Sequence, residues 1–116
     1  MPSSLELEFD YLWNYLHPNI DLETEVKLIP KRRFRFDYVH FPSMVAIELN
    51  GGIFTGGGHS RGKAQQRDYE KILLATALGY SVINLGTGQV NEENLELIKR
   101  SIEVRLIGKI VNTNVH

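Results

Sequence analysis

Arg33-Phe34-Arg35-Phe36-Asp37-Tyr38-Val39, followed across a short turn at Pro42 and Ser43 by Met44-Val45-Ala46-Ile47-Glu48-Leu49, decides the fold. In the first run apolar and polar residues alternate with the period of two that a strand imposes. Phe34, Phe36 and Tyr38 are therefore expected on one face and Arg33, Arg35, Asp37 and Val39 on the other. The second run is apolar until Glu48, as in a strand covered on both faces. The two runs read as a hairpin. Period two also sets Ala46, Glu48 and Asn50 on one face of the second strand, opposite Val45, Ile47 and Leu49.

Working outward, Val26-Lys27-Leu28-Ile29 is a short strand candidate stopped by Pro30. Before it, Ser3 or Ser4 caps a helix running to about Leu16. Its buried face carries Leu5, Phe9, Leu12, Trp13 and Leu16, which makes Trp13 a core residue. Pro18 ends it. Downstream, residues 50–62 hold six of the ten glycines and form a long loop. A helix is expected from Lys63 to Leu78, with Gly79 as its stop. Tyr80 to Leu85 is a strand, and Gly86 and Gly88 make the turn after it. Asn91 caps a last helix that buries Leu95, Ile98, Ile102 and Leu106. Ile110 to His116 is expected as a loose end or an added strand. The order α-β-β-β-α-β-α is an α/β (α+β) arrangement. An antiparallel meander feeds a right-handed crossover to a parallel strand, giving a central mixed sheet with helices on its faces.

The chain has 116 residues, enough for one domain spanning 1–116. It has no cysteine, so it has neither a disulfide framework nor a thiolate site, as suits the reducing cytoplasm. No signal peptide opens it, and its apolar runs fall far short of the roughly 20 residues of a membrane span. A formal charge of -1 suggests no polyanionic partner. The charge is uneven, however. Residues 31–71 carry eight basic residues against four acidic ones, a balance of +4, which leaves -5 for the remainder.

Two features carry chemistry. If the hairpin pairs, Asp37 and Glu48 lie on neighbouring strands and both can face the mouth formed by the Gly-rich loop, and paired carboxylates either share a proton or hold a hard cation. The bland alternative is an ion pair between Glu48 and Arg33 or Arg35. The second feature is Gly57 to Lys63, which fits GxxxxGK between a strand and a helix. Ala64 stands where a magnesium-ligating hydroxyl belongs, so nucleotide binding through this loop ranks below the metal site.

The run from Arg32 to Leu85 resembles the PD-(D/E)XK nuclease superfamily, in particular its small phage-type and very-short-patch-repair-like endonucleases. The matching pieces are Arg35-Phe36-Asp37, Ile47-Glu48-Leu49-Asn50-Gly51-Gly52, His59-Ser60-Arg61-Gly62, Asp68-Tyr69-Glu70-Lys71, and Gly79 to Val82. The resemblance implies a restriction-endonuclease-like core and a magnesium- or manganese-dependent endodeoxyribonuclease that nicks DNA or cuts particular DNA structures. Repair, recombination or phage DNA processing would be its setting, in a bacterial or phage-infected cell. It makes Asp37 and Glu48 metal ligands, with the Leu49 backbone carbonyl a third, and it implies products with a 5′-phosphate and a 3′-hydroxyl.

The superfamily has lysine where this chain has Asn50. Lys71 and Lys63 are the candidate replacements, and the alternative for Lys71 is an i, i+3 ion pair with Asp68. His59 is placed as general base, proton donor or phosphate contact. Glu6, with Glu8 as rival, matches an additional acidic residue near the metals. Arg33, Arg35, Arg61, Lys63, Gln65 (or Gln66) and Arg67 are the expected DNA contacts, the arginines binding backbone phosphates. DNA is the implied partner, with RNA left open. Cutting both strands calls for a homodimer or a second domain. The rival from another class is a nuclease-fold module that binds DNA or scaffolds without cleaving.

Overall fold

The computed structural model describes residues 3–51 and 58–114, and the side chains among them apart from those of residues 58–61, 64 and 110–114. The elements follow the expected order: α1 (Ser4–Leu16), β1 (Glu23–Val26), β2 (Phe36–His40), β3 (Val45–Asn50), α2 (Gly58–Ala77), β4 (Ser81–Gly86) and α3 (Glu92–Asn114). The sheet runs β1-β2-β3-β4, antiparallel through the first three strands and parallel between β3 and β4. It forms the middle of three layers.

One face of the sheet carries Tyr38, Val45, Ile47 and Leu85. It is covered by Leu5, Phe9 and Trp13 of α1 and by Leu95, Ile98 and Ile102 of α3. Phe9 is fully buried, and its ring stacks on Trp13 at 5.6 Å and on Tyr38 at 4.5 Å. Burying each of these side chains contributes about 1.5–3 kcal/mol. The other face is smaller. Phe36, Val39 and Ala46 meet Ala75 of α2 and Ile29, with Leu74 and Val82 packed around them.

The expected caps are present. The Ser3 hydroxyl accepts from the Glu6 amide at 3.1 Å, and the Asn91 side chain accepts from the Asn94 amide at 2.8 Å. Gly79, at φ +98°, closes α2 in a Schellman motif: the Tyr80 amide donates to the Ala75 carbonyl and the Gly79 amide to the Thr76 carbonyl. Arg105 then ties α3 to the sheet by donating to Ser43 O, Ser81 Oγ and Gly79 O. Among the described residues no helix is long and apolar enough to cross a membrane.

Several boundaries differ from the sequence expectation. The first strand is Glu23–Val26, upstream of the expected Val26–Ile29, because Lys27 to Ile29 leave the sheet edge so that Ile29 can fill the small core beneath Phe36. Strand β2 begins at Phe36, three residues later than the alternation suggested. Phe36 and Tyr38 also part company: Phe36 enters the α2 core and Tyr38 the α1/α3 core. The break falls where the β2–β3 ladder ends, at Tyr38↔Ile47, so that Phe36 is held only from the β1 side, by its pairing with Val26.

Helix α2 starts at Gly58 instead of Lys63, because extending an existing helix adds one hydrogen bond per residue and outweighs the roughly 1 kcal/mol cost of the interior Gly62. Gly58 to Lys63 are therefore helical, and the phosphate-cradling loop of the GxxxxGK reading is absent from them. Helix α3 continues to Asn114, so the loose end or added strand expected from Ile110 is helical that far.

Candidate metal centre

The hairpin register continues past Tyr38↔Ile47 and Val39↔Ala46 to bring Asp37 opposite Glu48. At this rung side chains take over from the main chain. The Asp37 amide donates to Glu48 Oε1 at 3.1 Å, and the Leu49 amide donates to Asp37 Oδ2 at 2.7 Å. The two carboxylates then serve opposite sides of the sheet.

On the α1 side, Asp37 meets Glu6 from the first turn of α1 and Glu25 from β1. One carboxylate oxygen from each lies within 4.8 Å of the others. Glu25 reaches this position with φ +52°, a left-handed conformation that a glutamate adopts only at a cost. The three line an open cleft of about 520 Å³ together with Asp10, Thr24, Arg35 and Tyr38. Among the described residues none of the three carboxylates has an ion-pair partner. Burial pushes the Asp37 carboxyl above its usual range, and the Glu25 charge adds to the rise, against the opposing pull of the Leu49 amide and the Lys71 charge. Oxygen donors alone, crowded and negative, suit a hard divalent cation such as magnesium, manganese or calcium.

Tyr38 holds this side together. Its hydroxyl donates to Asp10 Oδ1 at 2.5 Å and lies 3.3 Å from the Glu6 carbonyl, so it fastens α1 to the sheet one turn from the Glu6 side chain. Burial, followed by the Asp10 carboxylate, holds the phenol far above its normal pKa, which keeps it a donor.

On the α2 side, Glu48 Oε2 forms an ion pair with Lys71 Nζ at 2.8 Å, and both side chains are largely buried. Lys71 Nζ also donates to the Arg35 carbonyl and sits 4.4 Å from the centre of the Phe36 ring. Burial raises the Glu48 carboxyl despite the lowering effect of Lys71. Lys71 thus pairs with Glu48 and not with Asp68, and Glu48 takes Lys71 in place of Arg33 or Arg35.

Of the other expected residues, Arg35 lines the acidic cleft with an exposed side chain, and Arg33 is exposed next to it. Lys63, Gln65 and Arg67 are exposed on α2. The side chains of His59 and Arg61 lie outside the described residues. Leu49 engages Asp37 through its amide. Glu8 is exposed and Glu6 joins the cluster, which settles the position of each. Glu25, Asp10 and Tyr38 went unnoticed as site residues. Only the pairing of β1 with β2 puts Glu25 opposite Asp37, whereas the sequence pattern starts that strand one residue beyond Glu25.

No protein-family model matches this sequence, and no curated protein matches it either. The chain superposes on the catalytic domain of the homing endonuclease I-Bth0305I with a TM-score of 0.67 and 14% sequence identity, covering 90% of this chain and 99% of that one. At this identity the likeness is one of fold.

Proposed function

We propose that this chain is a divalent-metal-dependent DNA endonuclease of the PD-(D/E)XK kind, with Glu6, Glu25 and Asp37 as the residues that hold the cation. The observation that carries the proposal is the convergence of three carboxylates from α1, β1 and β2 with no ion-pair partner among the described residues. Such a cluster opposes folding unless a cation joins it. The likeness to a homing endonuclease catalytic domain supports the same activity.

A cation bound there supplies charge stabilisation for the scissile phosphate and lowers the pKa of water. The chain's own residues do the rest. Arg35, exposed at the mouth of the cleft, binds a neighbouring DNA phosphate, and Lys63 and Arg67 extend that contact along α2. Tyr38 and Asp10 hold Glu6 in place. Lys71 fixes the backbone at Arg35 and neutralises Glu48, so the Glu48 oxygen that accepts from the Asp37 amide orients Asp37 without repelling the substrate. In this assignment Glu48 and Lys71 are positioning residues. A single copy nicks, and cutting both strands takes two copies.

The test is cleavage of labelled mismatched, branched, single-stranded and paired DNA in magnesium or manganese, together with thermal unfolding with and without each metal. Cleavage and metal stabilisation that are both lost in Asp37→Ala support the proposal. Metal stabilisation with no cleavage of any substrate points to the non-cleaving DNA-binding module, a reading favoured by the mutual engagement of Glu48 and Lys71.

A further inference from the structure

On the α2 side of the Asp37–Glu48 rung lies a cavity of about 190 Å³. The Glu48–Lys71 ion pair forms part of its wall, Gln65 and Tyr69 line it from α2, and Asn50 and Asn84 line it from the ends of β3 and β4. Its volume is below the roughly 300 Å³ at which sites for drug-sized ligands begin, so it suits a group the size of one ring system.

Three carboxamides line it, those of Asn50, Asn84 and Gln65, together with the Asp68 carboxylate and the Ile72 side chain. Asn50 Nδ2 donates to Asn84 Oδ1 at 3.1 Å, which orients both amides. That bond leaves Asn50 Oδ1 as an acceptor and Asn84 Nδ2 as a donor, neither with a partner among the described residues, and the Gln65 amide is equally uncommitted. The Tyr69 ring beside them is 64% exposed. An adjacent donor and acceptor next to an accessible aromatic plane can recognise a nucleobase by its edge and its face.

The position of the cavity selects the state of that base. A base inside a duplex is stacked above and below and cannot enter a space between a helix and a sheet, whereas a base that has left the stack can. We infer that the cavity receives one unpaired base of the bound DNA, so that the preferred substrate is DNA carrying an unpaired nucleotide. This rests on the endonuclease assignment and adds to it the class of DNA.

The experiment uses Asp37→Asn protein, in which cleavage is expected to be suppressed, with fluorescence anisotropy in EDTA and again in calcium at low ionic strength. The probes are a labelled duplex and four versions of it, each with one additional unpaired base. At least one bulged probe should bind about tenfold tighter than the paired duplex, the scale of a single good base contact. Asn84→Ala and Tyr69→Leu, both at exposed positions, should remove that preference and leave affinity for the paired duplex unchanged. Equal binding of paired and bulged probes, or a preference that survives both substitutions, overturns this inference and leaves the endonuclease assignment standing. Failure to bind any probe in either buffer overturns both.

Discussion

Asp37 and Glu48 face each other on one rung of the hairpin, yet the regions on either side of that rung differ in kind. On the α1 side three carboxylates share an open cleft and no positive side chain pairs with them among the described residues. On the α2 side a single carboxylate is matched by a single buried lysine. One side has negative charge to spare, and the other has none. A carboxylate is thus left without an ion-pair partner in an open cleft or tied to a buried lysine according to the helix that covers it.

Substitutions can break this contrast. The largest effect belongs to the acidic side. Asp37→Asn keeps an oxygen for the Leu49 amide but removes the charge, and cleavage should fall on the order of 10³-fold, equivalent to several kcal/mol of transition-state stabilisation. The same substitution should raise the melting temperature in EDTA by a few degrees, the scale set by about 1 kcal/mol in a domain of this size. A lower melting temperature in EDTA would mean that the three acids do not strain the fold.

The paired side should respond in the opposite sense. Lys71→Met leaves Glu48 buried without its cation and should cost about 2–4 kcal/mol in urea unfolding, with Glu48→Gln added to it recovering most of the loss. A cost within the roughly 0–1 kcal/mol of an exposed ion pair would erase the distinction between the two sides.

A smaller effect is expected at the fastening of α1. Tyr38→Phe keeps the stack on Phe9 but removes the donor to Asp10, at about 1–2 kcal/mol of stability. Manganese affinity, measured by calorimetric titration, should weaken a few fold as Glu6 loses its position. Unchanged affinity would show that Glu6 is held by α1 alone.

The smallest effect is a slope. Burial raises Asp37 and Glu48 above the ordinary carboxylate range, so the folded protein holds these protons more firmly than the unfolded chain. Stability in EDTA should therefore fall as pH rises from about 4 through the raised values and then level off. Glu25→Gln removes one charge that contributes to the rise at Asp37 and should make the fall shallower. A curve superimposable on the wild type would take Glu25 out of the cluster.

The element order and the placing of Asp37 and Glu48 on neighbouring strands were legible because alternation and a tight turn fix a hairpin from local residues alone. The caps at Ser3, Gly79 and Asn91 were legible for the same reason. Glu25 was not. It sits in a short strand whose residues are exposed to partly exposed, so no apolar alternation marks it, and its left-handed backbone leaves no trace in residue type. The pairing of Glu48 with Lys71 depends on how α2 lies over the sheet, which spacing along the chain does not encode. The opposed directions of Phe36 and Tyr38 escaped because period two presumes an unbroken ladder on both sides of the strand, and the β2–β3 ladder stops at Tyr38, short of Phe36.

At that interruption two backbone amides, those of Asp37 and Leu49, are held by carboxylates in place of carbonyls. A carbonyl partner does not titrate, and these partners do. The two amide resonances are therefore built-in indicators in an NMR spectrum. The Asp37 amide follows the protonation of Glu48, and the Leu49 amide follows that of Asp37. A cation that claims Asp37 Oδ2 should shift the Leu49 signal first, so occupancy of the acidic side can be followed with no substrate present.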